Sequence, residues 1–203
     1  MKISNNSFLD IKKRLDKIDQ DREKIISISR QMVRNCSIAI KSIHREDEDQ
    51  YREKIKEIKG NHKELLDLVK FNLTMFGKYL KTPEQEYIEA VILYAIIKDL
   101  EIKSPEEYGV DDVNYLLGLA DVVGELRRYV LDKLRRDEID DLNNILEKME
   151  NIYDVLFSLD YPKSITQDLR RKTDAARGII ERTRGDLSLS LQINKLNKNL
   201  EKE

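Results

Sequence analysis

Glu86 and Glu89 stand three residues apart in a segment that is otherwise almost wholly apolar: Tyr87, Ile88, Ala90, Val91, Ile92, Leu93, Tyr94, Ala95, Ile96 and Ile97. A helix apolar on every side is buried in a core or an assembly, and residues three apart share one of its faces. That face continues with Leu93 and Ile96, so two carboxylates top an apolar stripe. Like charges in a poorly solvated place disfavour each other's ionisation unless something positive binds between them. A divalent cation with oxygen ligands is the simplest solution, and Mg²⁺ suits a site of few carboxylates plus waters. A plainer reading stands beside it. Glutamates near a helix N-terminus are favoured by the helix dipole, and either one could pair with an arginine from a neighbouring helix.

Two further segments place acids among apolar residues. Between Asp112 and Arg136, one apolar stripe holds Val113, Leu116, Leu117, Ala120, Val123, Leu131 and Leu134, and a second holds Leu119, Val122, Leu126 and Tyr129. A narrow polar strip of Asp121, Glu125, Arg128 and Asp132 separates them. Such a strip reads as an internal polar channel, or as a thin solvated edge laced by pairs such as Glu125 with Arg128. Asp154 is flanked by Tyr153, Val155, Leu156 and Phe157. Aspartate is a poor helix former, and most such residues are merely exposed, so Asp154 carries no functional reading by itself.

The elements that must position these groups are helices. Positions 11, 15, 18, 22, 25, 29, 32, 36, 39 and 43 alternate by four and three and are mostly apolar. This heptad-like seam predicts a first helix from Phe8 to Arg45 that packs along another. Cys36 lies on the seam and reads as a packed thiol rather than a nucleophile. A second seam joins Tyr51, Ile55, Ile58, His62, Leu65, Val69 and Phe76, with His62 read as a satisfied core or interface histidine. Thr82-Pro83-Glu84-Gln85 has the residues of a capping box and predicts the start of a third helix, which runs through Leu100. Ser104 and Pro105 open a connection, and further helices are expected from Asp111 or Asp112 to Arg136, from Asp137 to before Pro162, and from Ser164 toward a frayed end at Asn194 to Glu203. No stretch alternates with period two for long enough to make a strand. The expectation is an all-α bundle of six to seven helices, with long antiparallel neighbours, in one domain over residues 1–203.

Composition narrows the classes. Charged residues make up 37% of the 203, with only seven Gly and three Pro, which favours long helices over loops. A net charge of −2 gives no global signal for nucleic acid, so an anionic ligand needs a local basic surface. Cys36 is the only cysteine, so no disulfide can form within the chain, which suits a reducing compartment. The longest apolar run, Ala90 to Ile97, is too short to cross a bilayer, and the N-terminal stretch from Met1 to Asp10 lacks an apolar signal core. A soluble cytoplasmic protein is expected. The chain has no phosphate-binding glycine loop, GxSxG or CxxC.

Several segments resemble the translin family, which comprises translin and translin-associated factor X. Ser29-Arg30 with Ile43-His44-Arg45 resembles the family's opening helix, and Gln85-Glu86-Tyr87-Ile88-Glu89-Ala90 resembles the acidic motif of factor X. The run from Gly109 to Gly118, continuing through Gly124-Glu125-Leu126-Arg127, is similar to both members, and Ile152-Tyr153-Asp154 with Phe157 resembles a later acidic position of factor X. The resemblance covers about Asp16 to Leu191. It implies a bundle of about seven helices that assembles into a closed shell, typically an octamer. It also implies the factor X type of activity: a Mg²⁺-dependent endoribonuclease, with Mn²⁺ as an alternative ion, that cuts single-stranded RNA inside the shell. On this resemblance Glu86, Glu89 and Asp154 hold the metal and carry catalysis, and Glu125 matches a position near the same site. Arg30, Arg127 and Arg128 become candidates to position the RNA backbone, although Arg127 falls on the main apolar stripe and could form a buried ion pair instead. One departure is local: a Ser-Lys-Arg triplet of factor X reads Cys36-Ser37-Ile38 here. The family's eukaryotic enzymes mix two kinds of subunit, whereas a chain carrying both shell-forming helices and acids could form a homo-oligomer.

Two other readings remain. One is a non-catalytic shell closer to translin that binds single-stranded RNA or DNA. The other is a helical scaffold with no nucleic-acid role, which the near-neutral charge and the seams fit equally well.

Overall fold

The computed structural model describes residues 5–200, apart from the side chains of residues 5, 6 and 198. Its helices are α1 (Asn5–His44), α2 (Glu48–Val69), α3 (Leu73–Phe76), α4 (Lys81–Ile97), α5 (Pro105–Tyr108), α6 (Asp112–Leu134), α7 (Leu142–Phe157), α8 (Lys163–Thr166) and α9 (Leu169–Leu200). Three-residue 3₁₀ turns, Lys70–Asn72 and Gly77–Tyr79, flank α3. The described residues contain no strand, and none of their helices is long and apolar enough to cross a membrane.

Side-chain pairings fix the directions. Lys24 reaches Glu64 at 2.7 Å, and Ser42 Oγ lies 2.6 Å from Gln50 Oε1, so α1 and α2 are antiparallel neighbours. Ser29 Oγ donates to the Tyr79 carbonyl just before α4, while Ile43 lines a cavity with Tyr94 and Ile97 at its far end. Helix α4 therefore runs parallel to α1. Lys172 contacts Leu117 O at 3.3 Å, and Arg127 contacts Thr183 and Asp186 at 3.1 and 2.8 Å, which sets α9 parallel to α6. Helix α7 returns antiparallel to α9, with Glu150 bonded to Arg184 and Leu156 beside Leu169.

The seam of α1 is only partly covered. Ile25, Met32, Cys36, Ala39 and Ile43 are buried, whereas Ile11 and Leu15 are exposed, along with Phe8. The end of α9 has a similar apolar spacing, and Leu189, Ile193, Leu196 and Leu200 are exposed. Helix α9 is described to Leu200, and the rest of the expected frayed end, residues 201–203, lies outside the described residues.

Three local expectations are corrected. Phe76 does not continue the second helix. α2 stops at Val69, and Phe76 reaches a smaller core with Ile25, Ile28, Leu65 and Val69 from α3. The capping box at Thr82 does not form. The chain enters α4 from a 3₁₀ turn with Leu80 already helical (φ −79, ψ −30), so no residue adopts the extended geometry that a side-chain cap requires. The capping box forms at Ser104 and Glu107 instead, closed by Gly109 in the left-handed region at φ 70. Helix α7 begins at Leu142 rather than near Asp137, because Asp137 and Asp141 take positive φ values of 58 and 61 in the turn after α6. Likewise, Gln167 at φ 55 separates the short α8 from α9.

Candidate active site

Helices α4 and α6 meet at Gly118. A Cβ there would stand 2.6 Å from the carbonyl oxygen of Gln85 and 2.9 Å from Ile88 Cβ. Only a residue without a side chain allows this approach. Asp121 and Glu125 follow Gly118 by three and seven positions and share its face, while Glu86 and Glu89 flank the opposing contact. The crossing thus brings Glu86 and Glu89 within reach of the charges of Asp121 and Glu125, which raise both α4 carboxyls.

Glu84 shows what a satisfied buried carboxylate looks like here. It is 1% exposed and accepts from His62 Nε2 at 3.0 Å, from the Asp111 amide at 3.2 Å and from Asn114 Nδ2 at 2.8 Å. It ties α2, α4 and the start of α6, and His62 is the satisfied core histidine expected of its seam.

Glu86 and Glu89 are different. Both are half-buried, and neither forms a hydrogen bond or ion pair among the described residues. Burial, then the charges of Asp121 and Glu125, hold the Glu86 carboxyl above the ordinary range, with Lys172 opposing. Burial, followed by the charges of Glu86, Asp121 and Glu125, pushes Glu89 up to about 8. Cys36 of α1 adjoins the pair. Its thiol is driven up by burial first and then by Glu86 and Glu89, so it stays protonated and is no nucleophile.

The α6 carboxylates are tied to neighbouring helices. Lys172 of α9 bonds Asp121 and also approaches Gln85 Oε1 at 3.4 Å. His44, the last residue of α1, places Nε2 2.6 Å from Glu125 Oε2. That hydrogen bond leads the effects holding the Glu125 carboxyl below its usual range, burial opposing. Arg128 Nη1 reaches the same oxygen at 3.4 Å.

Among the described residues, no three His, Cys, Asp or Glu side chains form a ready-made metal cage. The donor set nevertheless fits a small hard cation. Two unpartnered carboxylates resist ionisation where they stand, and Mg²⁺ uses one or two carboxylates while keeping several waters.

The structure brings Glu86, Glu89 and Glu125 together but does not bring Asp154 to them. Asp154 is exposed on α7 and lines a separate cavity of about 260 Å³ with Arg177 and Arg184 of α9. Arg127 does form an ion pair, to Asp186 of α9, but it is partly exposed rather than buried. Arg128 is half-exposed beside Glu125, and Arg30 is exposed on α1 without an ion pair among the described residues. Asp121 stands in the polar strip one turn before Glu125, but nothing in its spacing sets it apart from the strip's other charged residues. His44 lay in a matched segment, and Lys172 had no signal because its partner is 51 residues away.

A family model described as the Translin family matches residues 10–183. An uncharacterized protein of Methanocaldococcus jannaschii is 40% identical over 186 residues, spanning 91% of this chain and 82% of that protein. The crystal structure of apo-NeC3PO superposes with a TM-score of 0.85 at 27% identity, covering 94% of this chain and all of that one. The structure of an AfC3PO–duplex RNA complex gives a TM-score of 0.83 at 28% identity, with 94% and 99% covered.

Proposed function

We propose that this chain, which belongs to the Translin family, is a Mg²⁺-dependent endoribonuclease of the factor X type that cuts single-stranded RNA. The observation that carries the reading is the unpartnered pair Glu86 and Glu89, with Glu89 pushed up to about 8, facing Asp121 and Glu125. A scaffold gains nothing from leaving two carboxylates crowded and unpaired, whereas a cation site requires it. The similarity to AfC3PO, solved with duplex RNA, supports nucleic acid as the ligand.

Glu86 and Glu89 would hold Mg²⁺ or Mn²⁺, with Glu125 and Asp121 adjoining. Bound there, the ion would activate a water and offset charge on the phosphodiester. Asp121, rather than Asp154, takes the role of the additional acid, because it faces the pair. Lys172 limits the crowding of negative charge by pairing with Asp121. Arg128 and Arg30 are the exposed cations left to position an RNA backbone. The uncovered seams at Ile11–Leu15 and Leu189–Leu200 support a homo-oligomer, in which an octameric shell would bury them.

A specific observation favours a second reading, a shell that binds nucleic acid without cutting it. Asp121 and Glu125 already have internal partners, Lys172 and His44. Labelled single-stranded RNA incubated with Mg²⁺ or with EDTA separates the readings. Internal cutting that needs Mg²⁺ supports the nuclease. Salt-sensitive binding without cutting supports the second reading, and neither activity leaves a helical scaffold.

A further inference from the structure

We infer that His44 is a positioning residue that fixes the Glu125 carboxylate for the cation site; this rests on the reading of the carboxylate cluster given above. The His44 side chain is 4% exposed, and its Nε2 donates to Glu125 Oε2 at 2.6 Å. The other donor to Glu125, Arg128, reaches the same Oε2 at the longer distance of 3.4 Å. Both donors therefore converge on one oxygen, and Oε1 is left without a partner among the described residues. A carboxylate pinned by one oxygen and open at the other is the arrangement an outer partner gives a metal ligand.

The pinning matters because Glu125 is not enclosed. Its side chain is 24% exposed, so without an anchor its three side-chain torsions would let it swing to solvent. The anchor is itself rigid, since a buried ring at the end of α1 has little room to turn. Arg128, with its side chain 49% exposed, is a poor substitute. Geometry also limits which residue could serve. His44 comes from α1 and Glu125 from α6, so the bond spans two helices and holds α6 in register with the helix that bears Cys36. Asp132 lies 4.0 Å from the buried Nδ1, beyond hydrogen-bond distance, and Nδ1 has no partner. The Glu125 contact is therefore the ring's one polar anchor among the described residues.

The test uses the full chain, with Mn²⁺ alone as the probe. Mn²⁺ is titrated calorimetrically into wild type, His44→Leu, His44→Gln and His44→Asn, and melting temperatures in EDTA are recorded for each. Kinetic constants for cleavage of a labelled RNA are measured in parallel. His44→Leu is expected to weaken Mn²⁺ about 10–100-fold, the usual cost of losing such a partner, and to lower kcat while leaving KM for RNA unchanged. His44→Gln, whose amide can donate to the same oxygen, is expected to restore most of the affinity; His44→Asn, which is too short, is not. Should the leucine variant fail to fold, the glutamine–asparagine pair carries the comparison. Unchanged Mn²⁺ affinity in His44→Leu, or equal losses in the glutamine and asparagine variants, would overturn the inference and leave His44 a structural strut. Wild type that neither binds Mn²⁺ nor cleaves would remove the cation reading and this inference together. Wild type that does both, with indifferent His44 variants, would remove the inference alone.

Discussion

Gly118 of α6 packs so closely on Gln85 of α4 that a Cβ would stand 2.6 Å from the Gln85 carbonyl oxygen. The nearest obstacle is backbone, which cannot rotate away as the end of a long side chain could. Gly118→Ala must therefore push α6 from α4, at the point where Glu86 and Glu89 face Asp121 and Glu125. Overpacking of this kind costs about 1–3 kcal/mol. The variant is expected to lose that much in urea unfolding and to lose cation affinity as well, since the four carboxylates separate. Gly124→Ala, which meets nothing within 4 Å, is the control and is expected to be neutral or slightly stabilising.

Glu89 makes stability depend on pH with a definite sign. Its carboxyl, ordinarily near 4.5, is pushed up to about 8 in the folded chain. Between those values the folded state keeps a proton that the unfolded state releases, so this group's contribution falls as pH rises through that window. In EDTA, Glu89→Gln is expected to stabilise the protein at pH 8 by up to about 5 kcal/mol, each pKa unit of the rise from 4.5 to about 8 being worth about 1.4. The gain should shrink toward pH 5. Adding Mg²⁺ should stabilise wild type and not the variant. Urea unfolding at the two pH values, with and without Mg²⁺, checks all three signs.

Asp121 and Asp154 separate the structural site from the one the resemblance implied. Asp121 contributes to the raised pKa of both Glu86 and Glu89, whereas Asp154 is exposed beside Arg177 and Arg184. Asp121→Asn is expected to lower cleavage by about 10–100-fold, as loss of a ligand or its partner does. Asp154→Asn is expected to stay near wild type. Rates for the two variants at saturating Mg²⁺ decide the matter, and the reverse order would restore Asp154 to the site.

Arg30 and Arg127 should divide binding from stability. Arg127 pairs with Asp186 and Thr183 of α9, so Arg127→Met is expected to lose up to about 1 kcal/mol of stability with little change in RNA binding. Arg30→Ala is expected to leave stability alone and to lower the salt dependence of RNA binding by about one phosphate contact. Binding isotherms at several salt concentrations, beside thermal melts, distinguish the two.

The long elements were legible because their signals are periodic. The seam over residues 11–43 and the polar strip from Asp121 to Asp132 gave α1 and α6 nearly to their ends. Starts and stops were less legible where tertiary contacts overrode local chemistry. The residues at Thr82–Gln85 have capping-box identities, yet Glu84 is drawn inward to His62 and Asn114. In the candidate site, Glu86 and Glu89 were visible because charge interrupts an apolar helix. Lys172 was not, because a partner from α9 leaves no local pattern. Asp154 was carried by the resemblance alone, against the apolar spacing of α7, whose stripe of Leu142, Ile145, Met149, Ile152 and Leu156 faces the core and leaves Asp154 exposed on the other side.

The most direct measurement is cleavage of labelled single-stranded RNA by wild type and Glu89→Ala, each with Mg²⁺ and with EDTA. The account predicts internal cutting by wild type in Mg²⁺ alone, and loss of that cutting in Glu89→Ala although the variant remains folded. Cutting that survives the substitution, or that ignores EDTA, would contradict it.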